Sequence, residues 1–95
     1  MKDEIEQLLD LLRNAANNEQ AKAVLSLFMT FDELNEMKGR VRIIGALAAG
    51  ALSQRAMSSE LKVSIAKITR GSNALKHCDE SLLNYIKTHL KAGRV

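Results

Sequence analysis

The chain has 95 residues, of which 46% are hydrophobic and 26% charged, and it contains no proline. This length excludes two domains and predicts one domain over residues 1–95, with a core so small that we expect a second copy of the chain to complete it. The single cysteine, Cys78, excludes an internal disulfide, and with His77 and His89 it makes no spaced metal-ligand pattern. The longest uncharged run, residues 43–54, is too short to span a bilayer, and no basic-then-apolar leader opens the chain. We therefore expect a cytoplasmic protein without metal and without a membrane partner.

The charge is unevenly distributed along the chain. Residues 38–76 carry eight Lys or Arg against one acid, Glu60, whereas the rest has six basic and ten acidic residues. A basic centre flanked by acidic ends is typical of a polyanion-binding surface, and a pI near 9.2 makes nucleic acid the first candidate. The alternative is a solvated helix surface that happens to be basic.

The N-terminal third is predicted to form two amphipathic helices. Asp3 and Glu6 have the spacing of a capping box, and apolar residues then recur every three or four positions until Asn17-Asn18, where we expect the helix to stop. A second helix follows with one apolar face, made of Ala21, Val24, Leu25 and Phe28.

A third helix is predicted from Thr30 to about Ala49. Thr30 and Glu33 have the spacing of another capping box, and Gly50 suits a left-handed C-cap. Three shorter helices follow, opened by Ser53, Ser64 and Asp79 as N-caps. The first two end at about Leu61 and His77, and the third carries Leu82, Leu83, Ile86 and Leu90. No segment alternates with period two, so we predict an all-α fold of about six helices without strands.

The first and last helices are apolar on more than one side. In Leu8, Leu9, Leu11 and Leu12 the hydrophobic arc is wider than one neighbouring helix needs, so we expect this surface to meet another subunit. A monomer with an unusually apolar surface is the alternative.

Residues 53–77 are typical of a helix-turn-helix, in which the second helix enters the DNA major groove. Met57 and Leu61 form the inner face of the first helix, and small Ser58 lets the two helices approach closely. The turn has no glycine, so Lys62 would cost about 1 kcal/mol if it adopts a positive φ. An ordinary pair of antiparallel helices with a basic surface is the alternative.

These residues resemble the trp repressor family. The motif is Ile65-Ala66-Lys67-Ile68-Thr69-Arg70-Gly71-Ser72-Asn73-Ala74-Leu75-Lys76, preceded by Ser53-Gln54-Arg55 and by Gly39-Arg40-Val41-Arg42-Ile43-Ile44. The similarity extends from about Leu25 to Leu90 without an insertion. It implies an interlocked homodimer that binds a palindromic, double-stranded operator and represses tryptophan-related operons when L-tryptophan binds as corepressor.

The resemblance also implies a ligand site. Arg40 and Arg70 match the two arginines that enclose the indole ring, which suits guanidinium chemistry because the group is planar, stacks on aromatic rings and binds carboxylates. The other implied ligand residues are Leu27, Met29, Thr30, Ile44 and Gly71. Two positions depart from the family: Lys67 replaces the usual threonine and Ala74 the usual serine. A weaker tryptophan site, a different indole ligand and ligand-independent DNA binding therefore remain open.

The DNA-binding surface is implied in the same way. Arg55 matches a residue that contacts a guanine edge, while Ile65, Ala66 and Thr69 match the tip of the recognition helix. Lys67, Asn73 and Lys76 are better placed for phosphates. Ser58 stands where the family often has a basic residue, so one positive contact is missing there.

Other classes of function have less support in the sequence. An enzyme is not expected, because His77 and His89 lack a partner pattern and the carboxylates are predicted on outer helices. A helical protein-interaction module is the main competitor, and it would show no steep salt dependence with DNA. A redox or metal role of His77-Cys78 is remote, since an adjacent pair lacks chelate spacing.

Overall fold

The computed structural model describes residues 2–50 and 52–90, and these residues form six α-helices and no strand. The helices are α1 (Glu4–Arg13), α2 (Asn18–Phe28), α3 (Phe31–Ala49), α4 (Gln54–Leu61), α5 (Ile65–Lys76) and α6 (Glu80–His89). The all-α prediction is confirmed. The chain forms two compact units, one up to Asn35 and one from Glu36 onward, and α3 runs through the boundary between them.

The predicted helix starts are confirmed by their hydrogen bonds. The Asp3 carboxylate accepts from the Glu6 N–H at 2.8 Å, and the Glu6 carboxylate accepts from the Asp3 N–H. Thr30 and Glu33 form the same reciprocal pair at the start of α3, with distances of 3.1 and 2.8 Å. Each pair satisfies two backbone donors that the first turn of a helix leaves without partners.

The predicted end of α1 is wrong, because the helix stops at Arg13 and not at Asn17-Asn18. Asn14 is the C-cap residue, and its backbone N–H and side-chain amide both donate to the Asp10 carbonyl, at 3.0 and 2.8 Å. Asn17 belongs to the next helix, since its side chain accepts from the Gln20 N–H at 2.9 Å as the N-cap of α2. Asparagine side chains compete with helical hydrogen bonds in this way, which apolar periodicity does not reveal.

The unit that begins at Glu36 has a small core. Ile43, Ala46, Met57 and Ile68 form a cluster of buried side chains, and Leu47, Leu52, Leu61 and Val63 pack against them half-buried. Ala48 of α3 is buried as well. Ile68 of α5 is wholly inaccessible and Met57 of α4 is 2% exposed. The core thus holds α4 and α5 against the C-terminal half of α3.

The unit that ends at Asn35 consists mainly of α1 and α2, which pack against each other. Neither helix contains a buried residue, and neither does α6 of the other unit. Large apolar side chains are instead exposed, among them Ile5, Leu9, Leu11, Leu27, Phe28, Phe31, Leu82 and Tyr85. The first and last helices of the single chain therefore expose large apolar side chains, as their sequences predict.

Candidate nucleic-acid interface and ligand site

The turn between α4 and α5 has the geometry expected for a helix-turn-helix. Lys62 adopts φ 55° and ψ 46°, the left-handed conformation that costs a residue other than glycine about 1 kcal/mol. The Ser58 hydroxyl donates to the Val63 carbonyl at 2.6 Å, so it satisfies a backbone acceptor just after the turn. Ser64 then caps α5 by accepting from the Lys67 N–H at 3.2 Å.

Helix α5 presents different residues on its different sides. At about 100° per residue, Ile68 and Leu75 share the side that faces the core. A second side is an outer arc of about 100°, centred about 120° away from the core side. It is made of Ile65, Ala66, Thr69, Asn73 and Lys76, and all five side chains are exposed. We call these five residues the outer face of α5. The only long apolar side chain among them is Ile65, which is 47% exposed at the first position of the helix.

The remaining predicted DNA-binding residues are exposed as well. Arg55 lies in the first turn of α4, and none of the ion pairs found within the described residues involves it. Lys67 lies on a third side of α5, away from the outer face, and its ammonium binds the Glu36 carboxylate of α3 at 3.2 Å. Sequence reasoning missed this ion pair.

Helix α5 crosses α3 very closely at Gly71. A Cβ atom placed on Gly71 would lie 2.8 Å from Ile43 Cγ2 and 3.2 Å from Leu47 Cδ1, both of which are closer than ordinary contacts. Ile44 Cδ1 would be 3.7 Å away. The absence of a side chain at Gly71 therefore has a direct packing role, in addition to the ligand role that the resemblance implies.

One stripe of α3 faces α5. Ile43 and Leu47 contact the Gly71 region, and helical periodicity places Arg40 and Glu36 on the same stripe, toward the N-terminus of α3. Arg40 thus lies between the close crossing and the Glu36–Lys67 ion pair. Arg70 lies on α5 between Lys67 and Gly71 in sequence, and its side chain is exposed, as is that of Arg40. Among the described residues, neither arginine forms an ion pair.

The other predicted ligand residues are divided between the two units. Ile44 is half-buried beside the Gly71 crossing in the second unit. Leu27, Met29 and Thr30 belong to the first unit, where Leu27 is 80% exposed and Thr30 caps α3. Their role with a ligand stays a prediction.

Neither a candidate metal site nor a candidate membrane span occurs among the described residues. Residues 2–50 and 52–90 contain no group of three or more His, Cys, Asp or Glu side chains arranged to hold a metal ion. Cys78 is half-buried, and its thiol donates to the Leu75 carbonyl at the end of α5. None of the described helices combines the length and apolarity needed to cross a bilayer.

The chain is all-α, and two helices capped by Ser53 and Ser64 flank a tight turn. The second of these helices has an exposed outer face with hydroxyl, amide and ammonium groups. These features define a protein of the helix-turn-helix class. Residues 3–90 match the Trp repressor protein family, and the chain belongs to this family. The membership confirms the resemblance seen in residues 65–76 and identifies the chain as one of a family of transcriptional repressors.

Named relatives cover most of the chain. A Trp operon repressor homolog of Vibrio campbellii is 41% identical over 88 residues, which is 93% of this chain and 88% of the relative. The corresponding homolog of Vibrio cholerae is 47% identical over 77 residues, covering 81% and 75% of the two chains. That of Photobacterium profundum is 41% identical over 88 residues, covering 93% and 85%.

Proposed function

We propose that this protein is a cytoplasmic repressor of tryptophan-related operons, which binds a palindromic operator as a homodimer with L-tryptophan as corepressor. The observation that carries the proposal is the outer face of α5: it is wholly exposed, it makes no contribution to the core, and it begins at a capped N-terminus beside the turn. A helix of this kind fits the major groove, where hydroxyl and amide groups read base edges and lysines bind phosphates.

Arg55 is the residue that we expect to contribute most to sequence discrimination. A guanidinium can bind the two acceptors of a guanine edge simultaneously, a contact worth about 1–3 kcal/mol against a wrong base. Arg55→Ala should therefore reduce the ratio of operator to random-sequence affinity. Arg42→Ala is the matched control, because it removes the same charge from an exposed position of α3 outside the proposed DNA surface.

DNA binding is tested by fluorescence anisotropy with labelled duplexes over a range of salt concentrations. A repressor should show an affinity that falls linearly with the logarithm of the salt concentration, because phosphate contacts release counterions. An absence of binding to any duplex at low salt would overturn the proposal and favour the helical protein-interaction module, which the exposed apolar side chains of α1 and α2 could serve.

L-tryptophan is proposed to bind between α3, through Arg40, and α5, through Arg70. It would favour the orientation of the reading helix in which the two copies of α5 fit successive major grooves. The Lys67 ammonium is bound by Glu36, so it is directed toward α3, and the Lys67 methylenes would border the ligand. The ligand would then act by shifting a population between two arrangements of α5.

Calorimetric titration with L-tryptophan tests the ligand. The chain contains no Trp, so the fluorescence of the ligand gives a second, independent signal. We expect saturable binding with about one ligand per subunit, in line with one copy of the proposed residues per chain, and a loss of binding in Arg70→Leu. If millimolar L-tryptophan gives neither heat nor a fluorescence change, the proposal that it is the corepressor is overturned. The protein would then be a repressor with another effector or with none.

The homodimer is supported by the exposed apolar residues of α1, α2 and α6, since small monomers rarely leave such large apolar patches uncovered. Sedimentation equilibrium should give twice the 10.5 kDa mass of one chain. A monomer at micromolar concentration would contradict this part of the proposal.

A further inference from the structure

The ion pair between Glu36 and Lys67 joins α3 to α5 across 31 positions of the chain. Lys67 is the third residue of α5, so the pair lies at the end of the helix where the outer face begins. Glu36 Oε1 and Lys67 Nζ are 3.2 Å apart, which is a direct charged hydrogen bond. The ammonium that we expect to contact a DNA phosphate is thus bound by a carboxylate of the same chain.

This ion pair is not needed to hold α5 in place. The Lys67 and Glu36 side chains are 55% and 52% exposed, and pairs this accessible to water contribute little to stability. The close crossing at Gly71 and the wholly buried Ile68 already fix α5 against α3 and the core. The Glu36 carboxylate therefore acts on the charge of α5 more than on its position, because it neutralises the positive charge of Lys67.

A carboxylate and a phosphate bind an ammonium group through the same kind of charged hydrogen bond. A phosphate that binds the Lys67 ammonium must take it from Glu36, and it must also approach the Glu36 charge. We propose that Glu36 is an intramolecular competitor of DNA phosphates for Lys67 and restrains the DNA affinity of the protein. The inference rests on the proposed DNA-binding function and adds a residue that tunes it.

The substitution Glu36→Gln tests the competition. It removes the charge with little change in side-chain shape, so it should raise the affinity for operator and random duplexes alike, by about two- to fivefold at low salt, the range set by an exposed ion pair. Because phosphates carry no sequence information, the ratio of operator to random affinity should stay unchanged. Fluorescence anisotropy of the full chain with both duplexes measures these affinities.

Two further variants separate the competition from a general effect of charge. Glu60→Gln removes the same charge from an exposed position on α4, and within the described residues Glu60 has no ion pair, so a smaller gain is expected. In a Lys67→Met background, Glu36→Gln should give no more than the Glu60→Gln gain. A double-mutant cycle of this kind measures the coupling between the two side chains. Since all three substituted positions are exposed, far-UV circular dichroism should show every variant as helical as the wild type.

The outcomes distinguish the inference from the proposed function. If the wild-type chain binds no duplex, both are overturned. If the wild-type chain binds but Glu36→Gln gains no more than Glu60→Gln, or gains equally without Lys67, only the competition is overturned. A loss of affinity in Glu36→Gln would also overturn it, because that result would mean that the ion pair positions α5 for binding.

Discussion

Replacing Gly71 by alanine tests how closely α5 crosses α3. Isolated helices favour alanine over glycine by about 0.8–1.0 kcal/mol, so propensity alone predicts that Gly71→Ala stabilises the protein. The structure predicts the opposite direction. The new methyl group would lie 2.8 Å from Ile43 Cγ2, and Ile43 is itself buried and branched at Cβ, so it has little room to move.

The size of the effect follows from comparison with a second glycine. Inserting a methyl group into a packed interior costs about 1–3 kcal/mol. Gly39 likewise lies inside a helix, α3, but a Cβ there would meet only Arg42 Nη2, at an ordinary 3.7 Å. Helix propensity affects both substitutions equally, so it cancels when they are compared. Gly71→Ala should thus be less stable than Gly39→Ala by about 1–3 kcal/mol, with Gly39→Ala more stable than the wild type.

Urea unfolding followed by circular dichroism measures both free energies. The protein concentration must be the same in all samples, because the stability of an associating chain depends on it. Equal stabilisation by the two alanines would refute the reasoning, since it would mean that the crossing accommodates a methyl group without strain.

Three other substitutions have expected effects on stability. Lys62→Gly should raise the free energy of unfolding by about 0.5–1 kcal/mol, because glycine adopts the left-handed conformation of this residue without strain, and an unchanged urea midpoint would contradict this. Ser58→Ala should lower it by about 1–3 kcal/mol by leaving the Val63 carbonyl without its donor, whereas the exposed neighbour Ser59 should tolerate alanine. Ile68→Ala should lower it by about 2–5 kcal/mol, because the side chain is wholly buried, and a thermal melting temperature near that of the wild type would argue against the described core.

Local signals in the sequence predicted most of the helices. Capping boxes need only two residues three positions apart, so Asp3 with Glu6 and Thr30 with Glu33 could be recognised without tertiary information. For Lys62 the sequence indicated only the cost of a positive φ, because whether the turn requires one depends on how α4 and α5 cross. The end of α1 was missed because Asn14 and Asn17 act through side-chain hydrogen bonds that an apolar pattern does not contain.

The candidate site was harder to predict because its key contacts join distant parts of the chain. The ion pair of Glu36 with Lys67 forms between α3 and α5, so it cannot be found without knowing that these two helices lie side by side near Gly71. A signal was present, since Glu36, Arg40 and Ile43 have the spacing of one helix face. That spacing identifies the stripe but not the helix that it faces.

On α5, the residues that pack in the fold and the residues exposed to solvent lie on different sides of the helix. This arrangement affects how such proteins can change in evolution. Ile68 and Leu75 lie on the side of α5 that faces the core, whereas Thr69 and Asn73 are exposed on another side. Mutations on the outer face can therefore accumulate at little cost to stability, so the residues that α5 presents to solvent can change while the fold is kept. The side that carries Lys67 and Gly71 is constrained by α3, so we expect sequence change to be slower there.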